Sequence, residues 1–297
     1  MRNAKSGFLR TAAMMISVVL AACGGSDGEG DMATADAPEA LPQTMAVELW
    51  SQGSPAFGIF VPDERPREEM RAPDGSRRPP IHTADAAAVL GANPLLDYLF
   101  LNLEPGYDGE AVRATLEGLA RDPANRTTLL VRIPPISSDG PETTRENILD
   151  LFAAGAHGVV LPHVRSVEEG EMAIGFFAEA GVDLWTPDNR TGDRVAMMMI
   201  EDPGALAVAE QIADLDGYSM LACGIGSLTR ALDNDRAAAE AGNLEVLAQA
   251  TRRGMPDMIT ANATDVEQRL EEGFLGLLMS GPEADDAIRI GRTAAGR

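Results

Sequence analysis

The segment Val195-Ala196-Met197-Met198-Met199-Ile200-Glu201-Asp202-Pro203-Gly204 constrains the fold more than any other stretch of this chain. An unbroken apolar run leaves no polar face, so a strand formed here is covered on both sides, as the strands of a parallel sheet are. The run stops at a carboxylate, and Pro203 follows where a helix can begin. A strand that hands over to a helix at an acidic residue is the repeating unit of a β/α barrel, whose C-terminal strand ends share one face and build the active site. Glu201 is thereby the first candidate for chemistry.

The same rhythm recurs along the chain. Apolar runs at 56–61, 98–103, 128–133, 158–164, 182–186, 196–201, 218–223 and 257–261 read as strands. Amphipathic stretches at 109–121, 143–154, 166–180, 203–214, 236–254 and 264–279 read as helices between them. Asp108 is placed to cap the first of these helices, and Gly155, Gly181 and Gly254 follow helix ends. Eight strands alternating with helices point to an α/β fold, a (β/α)8 TIM barrel in preference to a doubly wound sheet. One insertion, residues 62–83, departs from the rhythm. It is dense in proline and charge, with Arg65, Arg67, Arg71, Arg77 and Arg78 set against five acids. It leaves a strand's C-terminal end and so rises beside the presumed site, where a lid and a solvated or oligomer-contacting loop are both open readings.

Residues 1–22 read as a processing signal, in which Arg2, Lys5 and Arg10 precede an apolar stretch too short to span a bilayer. Leu20-Ala21-Ala22-Cys23 matches a bacterial lipobox, which implies acylation of Cys23 and a place in the cell envelope. Gly24 after the cysteine favours the outer membrane, facing the periplasm. Residues 23–44 have few large apolar side chains and read as a disordered acidic tether, leaving 45–297 as a single barrel domain. The formal charge is −22, and loss of the signal's three cations leaves about −25, a surface that repels nucleic acid and anionic headgroups. With 4% aromatic residues there is little to stack on bases. No nucleic-acid partner is expected, and membrane contact is expected only through the lipid. Cys223 is the sole cysteine besides Cys23, so an intramolecular disulfide is excluded once Cys23 is acylated.

Several segments, taken in order, carry a more specific message: Leu-Trp-Ser-Gln-Gly-Ser-Pro-Ala-Phe-Gly at 49–58, Leu-Val-Arg-Ile-Pro-Pro at 130–135, Ala-Gly-Ala-His-Gly-Val-Val-Leu-Pro-His-Val at 154–164, Ile-Glu-Asp-Pro-Gly-Ala-Leu at 200–206 and Gly-Ile-Gly-Ser-Leu-Thr at 224–229. Over roughly 49–279 the chain resembles the HpcH/HpaI aldolase and citrate lyase family, the group that includes 4-hydroxy-2-oxoheptanedioate aldolases. The resemblance implies a pyruvate/phosphoenolpyruvate-type barrel, homo-oligomeric, acting as a carbon-carbon lyase on a small 2-oxo or 2-hydroxy acid. Breaking the bond next to a pyruvate unit leaves charge on an enolate oxygen, which Mg2+ or Mn2+ held by oxygen ligands can stabilise. By the resemblance, Glu201 at the end of the sixth strand binds that metal. Arg132 at the end of the third contacts the substrate's oxo and carboxylate oxygens, a task suited to its planar fork. Glu104 orients a metal-bound water, and the backbone amides of Gly226 and Ser227 receive the substrate carboxylate.

Three places depart from that pattern. Asn102-Leu103-Glu104-Pro105 stands where the family has Asp-Gly-Glu-His, Ser227 where a second metal-binding aspartate is usual, and Ala153 where an aspartate is common. With these groups gone, the alternative is a catalytically degenerate barrel that keeps the carboxylate pocket as an envelope-anchored binding or sensor protein. Structural roles also stand beside the chemical ones: Glu201 paired with an arginine at the barrel mouth, and Glu104 paired with Arg132. His163, near a strand tip, reads as a packing histidine with acid/base work as its alternative, and His157 as structural. His82 has little context. Cys223 reads as an inert buried thiol, Met197 to Met199 as core, and Asp233 and Asp235 as capping or solvated charge.

Overall fold

Alternation within each short apolar run sends successive side chains to opposite faces of a strand, and a closed sheet gives both faces something apolar to meet. The computed structural model, which describes residues 43–297, shows this closure. Strands β1 (Ala56–Phe60), β2 (Tyr98–Asn102), β3 (Thr128–Arg132), β4 (Gly158–Leu161), β5 (Val195–Ile200), β6 (Met220–Cys223), β7 (Asp257–Ala261) and β8 (Gly276–Met279) follow one another in chain order, all parallel, with β8 pairing onto β1. Tyr98, Phe100, Leu130, Met197, Met199 and Met220 pack together inside the barrel. Their alternates Leu99, Leu101, Val131, Met198 and Leu221 pack outward in the layer shared with the helices. The methionine run is therefore core on both faces, as its sequence indicates. A helix, Met45–Ser51, closes the N-terminal end: Ala46, Val47 and Trp50 join the interior cluster, and the Trp50 indole donates to the Leu275 carbonyl at 2.9 Å.

Two elements differ from the sequence reading, and both shift the strand count. The run 182–186 is not a barrel strand. It makes one isolated bridge, Leu184 with Arg194, and its apolar character belongs to Trp185, which is buried beneath the barrel 6.4 Å from Trp50. Conversely, the stretch 264–279 is not one helix. The helix Val266–Glu272 stops at Gly273, whose φ of 107° is left-handed and available to glycine at little steric cost, and Gly276–Met279 then forms the eighth strand. Glu201 consequently follows the fifth strand, not the sixth, and Cys223 closes the sixth, not the seventh. Gln43 and Thr44, assigned to the tether by composition, belong to the folded part. The Gln43 side-chain amide donates to the carbonyls of Arg190 and Gly192 at 2.9 Å, and Thr44 is the N-cap of Met45–Ser51. Cys23, the lipobox and the rest of the tether lie outside the described residues.

The insertion between β1 and the helix Ala84–Gly91 is an ordered Ω-shaped loop. Its two feet are fastened together: Asp63 Oδ1 accepts from the amides of Arg65 and Ile81, and Glu64 Oε2 accepts from the Thr83 hydroxyl at 2.8 Å. Its tip is a small hairpin with an antiparallel bridge between Arg71 and Arg77 and a turn held by Asp74 and Ser76.

Candidate active site

Period-two alternation decides which residues reach the barrel mouth. Arg132 is the last residue of β3 and lies beside Asn102, the last of β2, and both share the inward face that begins with Tyr98 and Leu130. Glu201 follows β5 and continues the inward series of Met197 and Met199. Arg132, Glu201, Gly224, Gly226 and Ser227 all line one cavity of about 200 Å3. The two residues on which the sequence reading depended most therefore meet at one end of one barrel.

The arginine is held on three sides. Its Nε donates to Asn102 Oδ1 at 2.9 Å, its Nη2 pairs with Glu104 Oε2 at 2.6 Å, and its Cζ lies 5.7 Å from the Phe100 ring centroid. Nη1 faces only the Met199 sulfur at 3.9 Å, which leaves that end of the fork for an oxygen acceptor. Glu104 thus makes the arginine pair that was its structural alternative in the sequence, and it also reaches toward His163, whose Nε2 is 3.5 Å from Glu104 Oε1.

His163 is the residue that sequence reasoning undervalued. It sits two residues beyond β4 with φ 51°, a left-handed conformation uncommon for a residue with a Cβ, and this turn aims its ring inward. Nδ1 is 2.9 Å from Asp202 Oδ2, so a proton on Nδ1 is held there and Nε2 faces the two glutamates, with Glu201 Oε1 at 3.9 Å. Pairing with Glu104, aided by Glu201 and Asp202, raises the His163 pKa to about 9 against the opposing effect of burial. The same pairing with His163, followed by the Arg132 charge, holds Glu104 below the ordinary carboxylate range. Asp202 was overlooked in the sequence although it adjoins Glu201. A histidine just past one strand tip and an acidic pair just past the next was the available signal.

Glu201 is 1% exposed, and its Oε1 has no hydrogen-bond partner among the described residues. Its other oxygen lies so close to Gly224 that a Cβ there would fall 1.8 Å from Oε2. Glycine at 224 is therefore required by the neighbouring carboxylate. From Gly224 the chain enters the helix Ile225–Ala231, whose first amides, including those of Gly226 and Ser227, have no intrahelical acceptor. Arg230 Nη2 donates to Ser227 Oγ at 3.1 Å and lines the same cavity. Arg230 makes no ion pair among the described residues and was also missed in the sequence.

The donor set does not fit a tightly held Mg2+ or Mn2+. Hard divalent cations select several oxygen ligands, with carboxylates carrying most of the affinity. Among the described residues no group of three acidic, histidine or cysteine side chains could hold a metal. At the expected second ligand, Ser227, the neighbour is a guanidinium, which makes this corner attractive to anions and repulsive to cations. Glu201 alone retains the character of a metal ligand.

The remaining candidates take structural places. His157 accepts the Leu129 amide on Nδ1 at 2.9 Å, and burial holds its pKa down at about 4. Cys223 is buried, with Asp257 Oδ2 at 3.4 Å, and burial pushes its thiol pKa well up, so it is inert. Asp235 caps the helix Arg236–Arg252 through the Ala238 amide.

No family model matches the sequence, and no curated protein does either. Solved structures do match. An HpcH/HpaI aldolase from Desulfitobacterium hafniense aligns at 18% identity over 85% of this chain and 95% of its own, with a TM-score of 0.59. An HpcH/HpaI aldolase/citrate lyase family protein from Burkholderia cenocepacia aligns at 16% identity over 84% and 97%, with a TM-score of 0.61. The citrate lyase beta subunit from M. tuberculosis, solved with oxaloacetate and magnesium, aligns at 16% identity over 83% and 99%, with a TM-score of 0.54. The chain has the barrel fold of these aldolase and lyase structures.

Proposed function

We propose that this chain is a carbon-carbon lyase of the aldolase type that acts on a small 2-oxo or 2-hydroxy acid and relies on its own side chains, without a tightly held metal, to stabilise a pyruvate-type enolate. The observation that carries this reading is the convergence of Arg132, Glu104, His163 and Glu201 at the barrel mouth, each within 4 Å of another. The substrate carboxylate is received by the Gly226 and Ser227 amides and by Arg230, and the oxo oxygen by Arg132 Nη1. The hydroxyl on the far side of the scissile bond satisfies Glu201, an acceptor buried without a donor. As the bond breaks, its electron pair moves onto the oxo oxygen, Arg132 neutralises the charge, and the hydroxyl proton passes to Glu201. His163, between Glu104 and Glu201, returns a proton to the enolate carbon.

Exchange of pyruvate's methyl protons tests the central step. Pyruvate incubated with the protein in D2O should exchange its methyl protons in the presence of EDTA, and Arg132→Ala should abolish the exchange. Absence of exchange with EDTA, Mg2+ and Mn2+ alike would refute the lyase reading. Stimulation by Mg2+ or Mn2+ that vanishes in Glu201→Gln would restore the metal-assisted form. The binding or sensor reading is favoured by the Arg132–Glu104 pair, which fills part of the fork. Its mark would be pyruvate or oxaloacetate binding with no exchange under any condition. The lipobox supports anchoring through Cys23 in the cell envelope, and Cys23→Ala should move the protein from the membrane to the soluble fraction.

A further inference from the structure

The carboxylate site occupies about 200 Å3, yet a second cavity of about 900 Å3 opens beside it. Its floor is the tip of β1 and the turn after β2, one wall is the end of β8, and its roof is the insertion 62–83. The surfaces are largely apolar: Val61, Met70, Pro79, Pro80, Leu103 and Met279 all face it. The two cavities are neighbours in a strict sense. Phe60 lines both, and Asn102, which lines the larger one, accepts the hydrogen bond from Arg132 Nε. A pyruvate-sized ligand fills the smaller space and leaves the larger one without an occupant, whereas pockets of several hundred Å3 lined by apolar side chains suit ligands many atoms larger.

We infer that the insertion 62–83 builds a subsite for the distal part of this site's ligand, so that the preferred ligand is a 2-oxo or 2-hydroxy acid bearing a long or bulky apolar substituent. This rests on the carboxylate site proposed above and adds to it the class of ligand. The acid end binds at Arg132 and the 224–227 turn, the chain passes Phe60, and the apolar tail lies under Met70, Pro79 and Pro80. The roof is prebuilt, since its feet are fastened through Asp63 and Glu64 whatever the cavity contains. That order reduces the entropy lost when a tail enters.

Isothermal titration of the full-length chain with pyruvate, 2-oxohexanoate, 2-oxooctanoate and 4-phenyl-2-oxobutanoate tests this. Burial of each methylene is worth up to about fourfold in affinity, and part of that is lost to ordering of the chain. The octanoate and phenyl compounds should therefore bind at least tenfold more tightly than pyruvate. Met70→Glu, which places a charge in the roof, and Ala284→Trp, which fills the space from the β8 side, should each remove that advantage while leaving pyruvate affinity within about twofold. Equal affinity across the series, with pyruvate binding intact, would overturn the subsite and leave the carboxylate site standing. Tighter binding of long chains that persists in both variants would also overturn it. If none of the four compounds binds, the carboxylate site fails and this inference with it.

Discussion

A single close approach ties the ends of two strands of this barrel to one buried carboxylate. A Cβ on Gly224 would fall 1.8 Å from Glu201 Oε2, so a larger residue there must displace a carboxylate that is 1% exposed. Gly224→Ala should cost about 1–3 kcal/mol in unfolding free energy, and combining it with Glu201→Ala should return most of that loss. Urea titration of the two single variants and the double variant measures the coupling, and strictly additive effects would show that the contact is not the cause. At the mouth, Arg132→Lys keeps the charge but loses the fork that spans Asn102 and Glu104 and, in the proposed function, a substrate oxygen. The D2O exchange rate of pyruvate should fall by about 100-fold, whereas a fall of less than threefold would mean that only the charge at 132 matters. Arg132 and Glu201 were legible in the sequence because each terminates an apolar run, and alternation fixes which face such a terminal residue takes. His163 was not. Its ring reaches the site through one left-handed residue and through partners after β5 and after β2, and strand periodicity encodes neither a positive φ nor contacts between neighbouring strand tips.

At the scale of the element, the strands were legible where apolar runs are unbroken and misread where one large side chain or one glycine overrides the pattern. Trp185 made a loop look like a strand, and Gly273 ended a helix whose periodicity otherwise ran into β8. The eight-strand count was right because one strand was added and another omitted. Two buried titratable groups at the starts of strands give these elements a pH dependence. Burial lifts Asp257, at the start of β7, to about 8 in the folded chain, whereas it titrates near ~4 when unfolded. Between those values the folded state binds more protons, so this contribution is complete at low pH and is lost as pH rises through about 8. His157, which precedes β4, behaves in the opposite sense. Held down at about 4 in the fold and near ~6.5 when unfolded, it contributes stability that is lost as pH falls through that interval. The two oppose each other in mildly acidic solution, and above it Asp257 acts in the same direction as His163, whose pKa is raised to about 9. Asp257→Asn should therefore reduce the decline in unfolding free energy between pH 6.5 and 8 by about 2 kcal/mol, leaving the part that His163 contributes. An unchanged slope in urea titrations at these pH values would show that Asp257 is already ionised in the folded chain.

For the whole molecule, the decisive division is between the two ends of the barrel. The mouth carries Arg132, Glu104, His163 and Glu201, while the opposite end carries a separate charged hub at Asp97. Asp97 immediately precedes β2 and is 1% exposed. Its carboxylate accepts from the Phe57 amide on β1 at 2.9 Å, from Arg292 of the helix Ala284–Ala294 at 2.7 Å, and from Arg297 at 3.0 Å. Arg292 also donates to the Leu95 carbonyl, and Arg297 to the Pro55 carbonyl. One carboxylate thus joins β1, β2 and the helix that follows β8, the seam at which the sheet closes on itself. Removing it leaves the Phe57 amide buried without an acceptor, although the two arginines, each about one-fifth exposed, can still reach water. Asp97→Ala should accordingly cost about 2–4 kcal/mol, less than the loss of a fully enclosed ion pair. Because barrels separate the end that stabilises from the end that reacts, the folded fraction of this variant should bind pyruvate within twofold of the parent chain. Calorimetric titration well below its lowered Tm makes the comparison. A large loss of affinity in protein that is still folded would mean that seam and mouth are mechanically coupled, and that ligand recognition depends on the closure of the entire barrel.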